Sequence, residues 1–330
     1  MSIKGTQGFK TPPQTRRIEG STRRVGFELE FSGIGLDVAA EAVAASLGAS
    51  AVSQTAAERL LESEPLGKFT VELDWSHLKK LAKEQGHGDI EEGWVEQLSQ
   101  AAASVVPVEV VCPPIPVTNL AVLDPMVEAL REAGAVGTDE SLVAAYGVHV
   151  NPELPSMDAT TIQAHIRAFA ALQWWLVDRL EVDTTRRLTP YIDLYPEAYM
   201  NRVLSRPDAD MDEIFDDYLA HNATRNRALD LLPLLAEIDE ARVRDAVDDD
   251  RIKARPTFHF RLPNCQIERP GWSLDQAWNA WWVVEKLADQ PEALDELAGA
   301  FADARRIVLG VNRKRWVEKV NTWLGDHGLV

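Results

Sequence analysis

The sequence predicts an α+β fold: a largely antiparallel sheet with helices packed on one face. Two observations carry this. Five short segments alternate strictly between apolar and polar residues, and long helical stretches separate them. Strands covered on both faces, as in an all-parallel sheet, read instead as continuous apolar runs. Here each strand keeps one polar face, so the helices belong on the other.

The first segment is Val25-Gly26-Phe27-Glu28-Leu29-Glu30-Phe31. Val25, Phe27, Leu29 and Phe31 share one side, and Glu28 and Glu30 the other. Carboxylates at i and i+2 stand roughly 6.5–7 Å apart along a strand, a spacing that lets them share a metal ion or hold two neighbouring ones. A lone Glu-x-Glu also describes a half-exposed edge, so the weight rests on recurrence. Phe69 to Ser76 sets Glu72 and Asp74 against Phe69, Val71, Leu73 and Trp75. Val108-Glu109-Val110 adds one carboxylate before Pro113-Pro114, which end the strand. Tyr146 to Asn151 places His149 and Asn151 opposite Tyr146, Val148 and Val150, and Thr257 to Leu262 places His259 and Arg261 opposite Phe258, Phe260 and Leu262. Solvated strands usually carry Thr, Lys, Ser and Gln on the wet side; these carry metal and phosphate ligands. Bland alternatives stand beside several of them: His149 as a core imidazole, Asn151 as a turn residue before Pro152, His259 as packing.

Helices are expected over 37–47 with Asp37 as cap, 90–104, 119–133 ending at Gly134, 160–180, two or three across 210–247, 273–288 capped by Ser273, 291–309 and 313–324. Trp278, Trp281 and Trp282 have helical spacing and read as core, whereas Asp248-Asp249-Asp250 reads as a solvated loop. Residues 1–22, with Lys4, Lys10, Arg16 and Arg17 and no apolar run, read as a flexible basic arm. Residues 23–330 read as a single catalytic domain whose last part, 271–330, is helical.

Composition narrows the function. A chain of 330 residues with 45% hydrophobic content can bury a large core. Its net charge of −18 argues against broad nucleic-acid binding. Cys112 and Cys265 are the only cysteines, so a thiolate metal site is not expected. No run approaches the ~18 apolar residues of a membrane span, and a cytoplasmic protein is expected. G-x-x-x-x-G-K-[ST], G-x-G-x-x-G after a strand, H-E-x-x-H and G-x-S-x-G are all missing. An oxygen-rich face with one or two imidazoles suits Mg²⁺ or Mn²⁺ bridging nucleotide phosphates, and Arg261 beside it suits an anionic phosphoryl group.

The ordered set Gly-Phe-Glu-Leu-Glu-Phe (26–31), Glu-Leu-Asp-Trp-Ser (72–76), Val-Glu-Val-Val-Cys-Pro-Pro (108–114), Gly-Val-His-Val-Asn (147–151) and Phe-His-Phe-Arg (258–261) resembles the amidoligase family. These are carboxylate–amine ligases related to glutamate–cysteine ligase and glutamine synthetase. The resemblance covers roughly residues 23 to 270. It implies a funnel-like antiparallel sheet, ATP with two or three Mg²⁺ ions, and an acyl phosphate attacked by an amine. It also implies metal roles for Glu28, Glu30, Asp74 with its neighbour Glu72, Glu109 and His149, a nucleotide-side role for His149 and Asn151, and a phosphate role for Arg261. One position departs: His259 stands where the family commonly has Glu, two residues before the arginine. That puts a full third metal site in doubt, or calls for a softer ion, with Glu268 as a candidate substitute.

Arg225-Asn226-Arg227, before a helix expected near Ala228, forms a second basic group that suits a carboxylate or phosphate; surface pairing with Asp216, Asp217 or Asp230 is the alternative. Tyr199 and Arg202 are weaker candidates for an acceptor pocket. The expected function is an ATP-dependent ligase with Arg261, Arg225 and Arg227 as catalytic cations, joining a small-molecule or peptide carboxylate to an amine. An inactive binding or assembly protein, or a metal-dependent hydrolase, is the alternative.

Overall fold

A computed structural model describes residues 8–73, 107–138, 146–182, 192–305 and 310–330. The expected helix over 90–104 and the residues Asp74, Trp75 and Ser76 lie outside them. Nine strands form one open sheet: β1 (Arg24–Phe31), β2 (Ser50–Gln54), β3 (Glu58–Ser63), β4 (Gly67–Leu73), β5 (Val108–Val111), β6 (Ile115–Pro116), β7 (Val148–Pro152), β8 (Leu229–Asp230) and β9 (His259–Phe260). Their order is β2-β3-β4-β5-β1-β7-β9-β8, with β6 continuing the β5 side of β1 after the Pro113-Pro114 break. Every ladder is antiparallel.

Alternation sets which face is covered. In β1 the residues Val25, Phe27, Leu29 and Phe31 are fully buried, as are Phe69 and Val71 of β4, Val108 and Val110 of β5, and Val148 and Val150 of β7. Ten α-helices occur among the described residues. The helix α1 (Leu36–Leu47) packs on β3 and β4. It begins one residue before Asp37, on an extended Gly35 without a side-chain cap. Asp37 instead receives Arg59 Nε at 2.8 Å from β3, so its cap role is corrected to a cross-element ion pair. A short 3₁₀ turn (Leu120–Leu123) leads into α2 (Asp124–Glu132). The long α3 (Ala159–Arg179) is capped by Asp158, which accepts from the Thr161 N–H.

The expected helical stretch after residue 210 divides, following α4 (Glu197–Leu204), into α5 (Met211–Asn222), α6 (Leu232–Ile238) and α7 (Glu240–Ala246), with β8 inserted between α5 and α6. No helix starts at Ala228, because that residue leads into β8. The chain ends with α8 (Leu274–Ala288), α9 (Pro291–Ala304) and α10 (Arg313–Asp326). Trp278 and Trp281 are fully buried, and Trp281 lies 5.3 Å from Phe258 and 5.6 Å from Phe260, ring to ring. These contacts seat α8 under the apolar side of β9. Trp282 is only half-buried and carries Lys10 Nζ 4.3 Å above its ring.

The described part of the basic N-terminal segment lies along α8. The Trp278 and Trp282 indoles donate to the carbonyls of Lys10 and Thr11 at 2.7 and 2.8 Å, and Asn279 accepts from the Lys10 N–H. The buried Arg23 closes the run: it donates to Gln14 O, to Glu153 O and, with both terminal nitrogens, to Glu285 at 2.6 and 2.9 Å. The described part of this segment is therefore fastened along α8 rather than free, by indole and guanidinium donors that charge patterning does not reveal. No helix among the described residues is long and apolar enough to cross a membrane.

Candidate functional site

Register brings the polar residues of separate strands into rows. Glu58 faces Glu72, Glu72 faces Glu109, and Glu109 faces Glu30 across β3, β4, β5 and β1. On the other side of β1, Glu28 faces His149. The Val150↔Phe260 and Glu153↔Thr257 pairings set His259 beside Asn151, and Asp230 faces His259. One half of the face is thus a row of carboxylates, and the other gathers imidazoles and guanidiniums.

Glu28 sits at the seam. Its Oε2 lies 2.8 Å from His149 Nδ1 and 3.6 Å from His259 Nε2. Its Oε1 accepts from Asn151 Nδ2 at 2.9 Å and lies 3.5 Å from Arg255 Nη1. Burial alone would raise this carboxyl, but the His259 and His149 rings beside it outweigh burial and hold it well below the usual carboxylate range. Glu30 is more open. Its Oε2 accepts from the Gly147 N–H at 2.9 Å, and its Oε1 lies 3.8 Å from His149 Nε2. Two sets of donor atoms therefore converge within 4.8 Å, both using His149: Glu28 with His149 and His259, and Glu30 with Glu109 and His149. Glu72 belongs to the same row but to neither set.

The rings of His149 and His259 meet edge to face with centroids 5.0 Å apart. His259 is buried, and Arg255 Nη2 and Arg261 Nη2 both approach its Nδ1 at 3.2 Å. Burial, then the Arg261 charge, pushes its pKa well below the ordinary histidine value, so the ring is neutral. Beneath it, the fully buried Asp230 accepts from the Leu232 N–H at 3.0 Å through Oδ1, and its Oδ2 lies 3.6 Å from Arg261. Burial raises the Asp230 carboxyl, against the pull of Arg261, the Leu232 N–H, Arg225 and Arg255.

The sequence-derived candidates separate accordingly. Glu28, Glu30, Glu109, His149, Asn151, His259 and Arg261 share one face. Arg225 adds its charge near Arg261 and Asp230 while lying 4.0 Å from Asp249. Arg227 does not join them: its terminal nitrogens donate to the carbonyls of Leu194 and His221, tying the 192–194 segment to the end of α5. Asp249, expected to be solvated, is held down to about 2, chiefly by hydrogen bonds from Arg251. Tyr199 is buried among Tyr195, Tyr218 and His221, and Arg202 pairs with Asp217 at 2.9 Å. Glu268 accepts from the Gly137 N–H and enters neither donor set, so it does not take the place left by His259.

A family model described as "Putative amidoligase enzyme" matches residues 21–283. The chain belongs to the amidoligase family. No curated protein and no solved structure matches it significantly. The matched span contains every strand of the sheet and all of the residues gathered on its polar face. Two members of this amidoligase face had no sequence signal. Arg255 stands in the loop before β9, and Asp230 in a strand of two residues, too short to show alternation. The Arg255–Pro256 pair, four residues ahead of His259, is visible only in retrospect.

Proposed function

We propose that this amidoligase is an ATP-dependent carboxylate–amine ligase, working on a funnel-like sheet of the kind found in glutamate–cysteine ligase and glutamine synthetase. The observation that carries the reading is the juxtaposition, on one open sheet face, of two donor sets sharing His149 with the guanidiniums of Arg255 and Arg261. The donor sets suit a divalent cation: carboxylates with an imidazole fit Mn²⁺ as well as Mg²⁺, and the atoms of each set lie close enough to meet on one ion. Such an ion, when bound, screens the charge of the β- and γ-phosphates.

The chain's own groups do the rest. Arg261, with Arg255 and Arg225 nearby, stabilises the transferred phosphoryl group by position and charge, which is the main protein contribution in such transfers. The substrate carboxylate takes the γ-phosphoryl group and ADP leaves. The amine nitrogen then attacks the acyl carbon, the carbon–oxygen bond to phosphate breaks, and an amide or peptide bond remains. His259, in place of a carboxylate, favours one competing reading, a binding protein that keeps the sheet without turnover.

The test is release of inorganic phosphate from ATP that depends on adding both an acid and an amine. Release without either points to a hydrolase, and no release with any pair points to the binding protein. Mg²⁺ with ATP should also raise the melting temperature more than ATP with EDTA does, since a native-state ligand stabilises by mass action.

A further inference from the structure

Hydrogen-bond polarity distinguishes the two donor sets. His149 Nδ1 stands 2.8 Å from a carboxylate oxygen that can only accept, so this nitrogen carries the proton. In the neutral ring the other nitrogen, Nε2, carries a lone pair, and it points toward Glu30 Oε1, 3.8 Å away. Two acceptors facing each other across that gap repel, and a cation bound between them turns the repulsion into ligation. Ligand atoms each about 2.0–2.2 Å from one ion span such a gap comfortably.

His259 is arranged the opposite way. Two guanidiniums, which have only donors, converge on its Nδ1. Its proton is therefore on Nε2, directed at Glu28 Oε2. An ion placed there would meet an N–H rather than a lone pair. Glu28 itself already accepts from His149 and Asn151.

Resting on the metal-centred reading above, we infer that of the two donor sets among the described residues only one holds a divalent cation: Glu30, Glu109 and His149 Nε2 ligate it, while Glu28 is a positioning residue that fixes the His149 ring and His259 closes the second position. Carboxylate partners of ligating imidazoles orient the ring and raise its basicity, and their loss typically weakens metal binding about 10- to 100-fold. His259 thus marks a metal position occupied instead by a ring that accepts from the arginines through Nδ1 and faces Glu28 with Nε2 at 3.6 Å.

The test is Mn²⁺ titration of the full chain by calorimetry, with pulsed EPR for the nitrogen ligand. Wild type should bind one Mn²⁺ with a nitrogen signature. Glu30→Gln and Glu109→Gln should abolish binding. Glu28→Gln should keep one site but weaken it about 10-fold or more, with Glu28→Asp recovering part of the affinity. His259→Gln should leave affinity and stoichiometry unchanged, and His259→Glu should raise the stoichiometry to two. Two ions in wild type, or loss of the wild-type ion in His259→Gln, overturns the placement. If His259→Gln does not fold, the stoichiometry of His259→Glu decides. Absence of any Mn²⁺ binding overturns instead the metal-centred reading on which the placement rests.

Discussion

Exchanging each glutamate of β1 for glutamine should have opposite effects on stability. From sequence alone the two carboxylates appear equivalent, repelling one another across an empty site, so both exchanges are expected to be neutral or stabilising. The structure separates them. Glu28 is surrounded by donors: His149 and Asn151 at hydrogen-bond distance, and Arg255 and His259 within 3.6 Å. Glutamine keeps one acceptor but turns an NH₂ toward donors and removes the charge. Losing one charge-assisted hydrogen bond costs about 1.5–3 kcal/mol, so Glu28→Gln should destabilise by about 2–3 kcal/mol. Glu30 faces Glu109, and their ligand oxygens lie within 4.8 Å of each other. At an effective dielectric near 20, that repulsion is about 3.5 kcal/mol, reduced to about 1 or less by solvent and salt at this half-open position. Glutamine can still accept from Gly147, so Glu30→Gln should be neutral or stabilising by up to ~1 kcal/mol. Urea unfolding at pH 7.5 with EDTA measures both. Equal effects, or loss of stability in Glu30→Gln with none in Glu28→Gln, refute the assignment of donors to one side of β1 and acceptors to the other.

Mild acid should weaken the fold through two buried histidines. His259 and His165 are buried with pKa values lowered first by burial, so below about pH 6.5 the unfolded chain binds protons that the folded chain refuses. Their contribution is fully present above that pH and falls as pH drops toward the folded values, by up to ~1.4 kcal/mol per unit for each ring. A urea midpoint that holds constant from pH 7.5 to 5.5, or that is not flattened by His165→Gln, contradicts this. Arg23→Met should cost about 3–5 kcal/mol, because it strands the buried Glu285 carboxylate. Adding Glu285→Leu to that variant should recover much of the loss in thermal or urea unfolding, and a double variant no better than the single one argues against a stranded charge.

Alternation made β1, β4, β5, β7 and β9 legible, because in each segment apolar core residues recur at every second position. β2 was not, since all five of its residues are exposed and no face needs to be apolar. β8 spans only two residues and shows no pattern; its place is fixed by pairing with β9 and by the Tyr195 hydroxyl, which donates to Leu229 O. Glu28, Glu30, Glu109 and His149 were legible by the same rule that exposed the strands. Arg255 and Asp230 were not, because a loop carries no period and a two-residue strand is too short to show one. Arg227 looked like a ligand group because two nearby arginines suggest anion binding, yet backbone carbonyls one segment away take up its donors.

The division of charge along the strand order governs how dissolved ions travel across the face. A small anion drifting along the Glu58, Glu72 and Glu109 row of β3, β4 and β5 meets carboxylates, while over β9 it meets Arg255 and Arg261. An elongated polyanion is consequently rotated before contact, its charged end swung toward β9. The net charge of −18 opposes its approach from a distance, but that field decays over ~8 Å at physiological ionic strength. Moderate salt therefore hides the repelling bulk while leaving the short-range pull of the arginines. Anion capture here should speed up as salt is first added and slow only later, the reverse of a protein whose whole surface attracts its ligand.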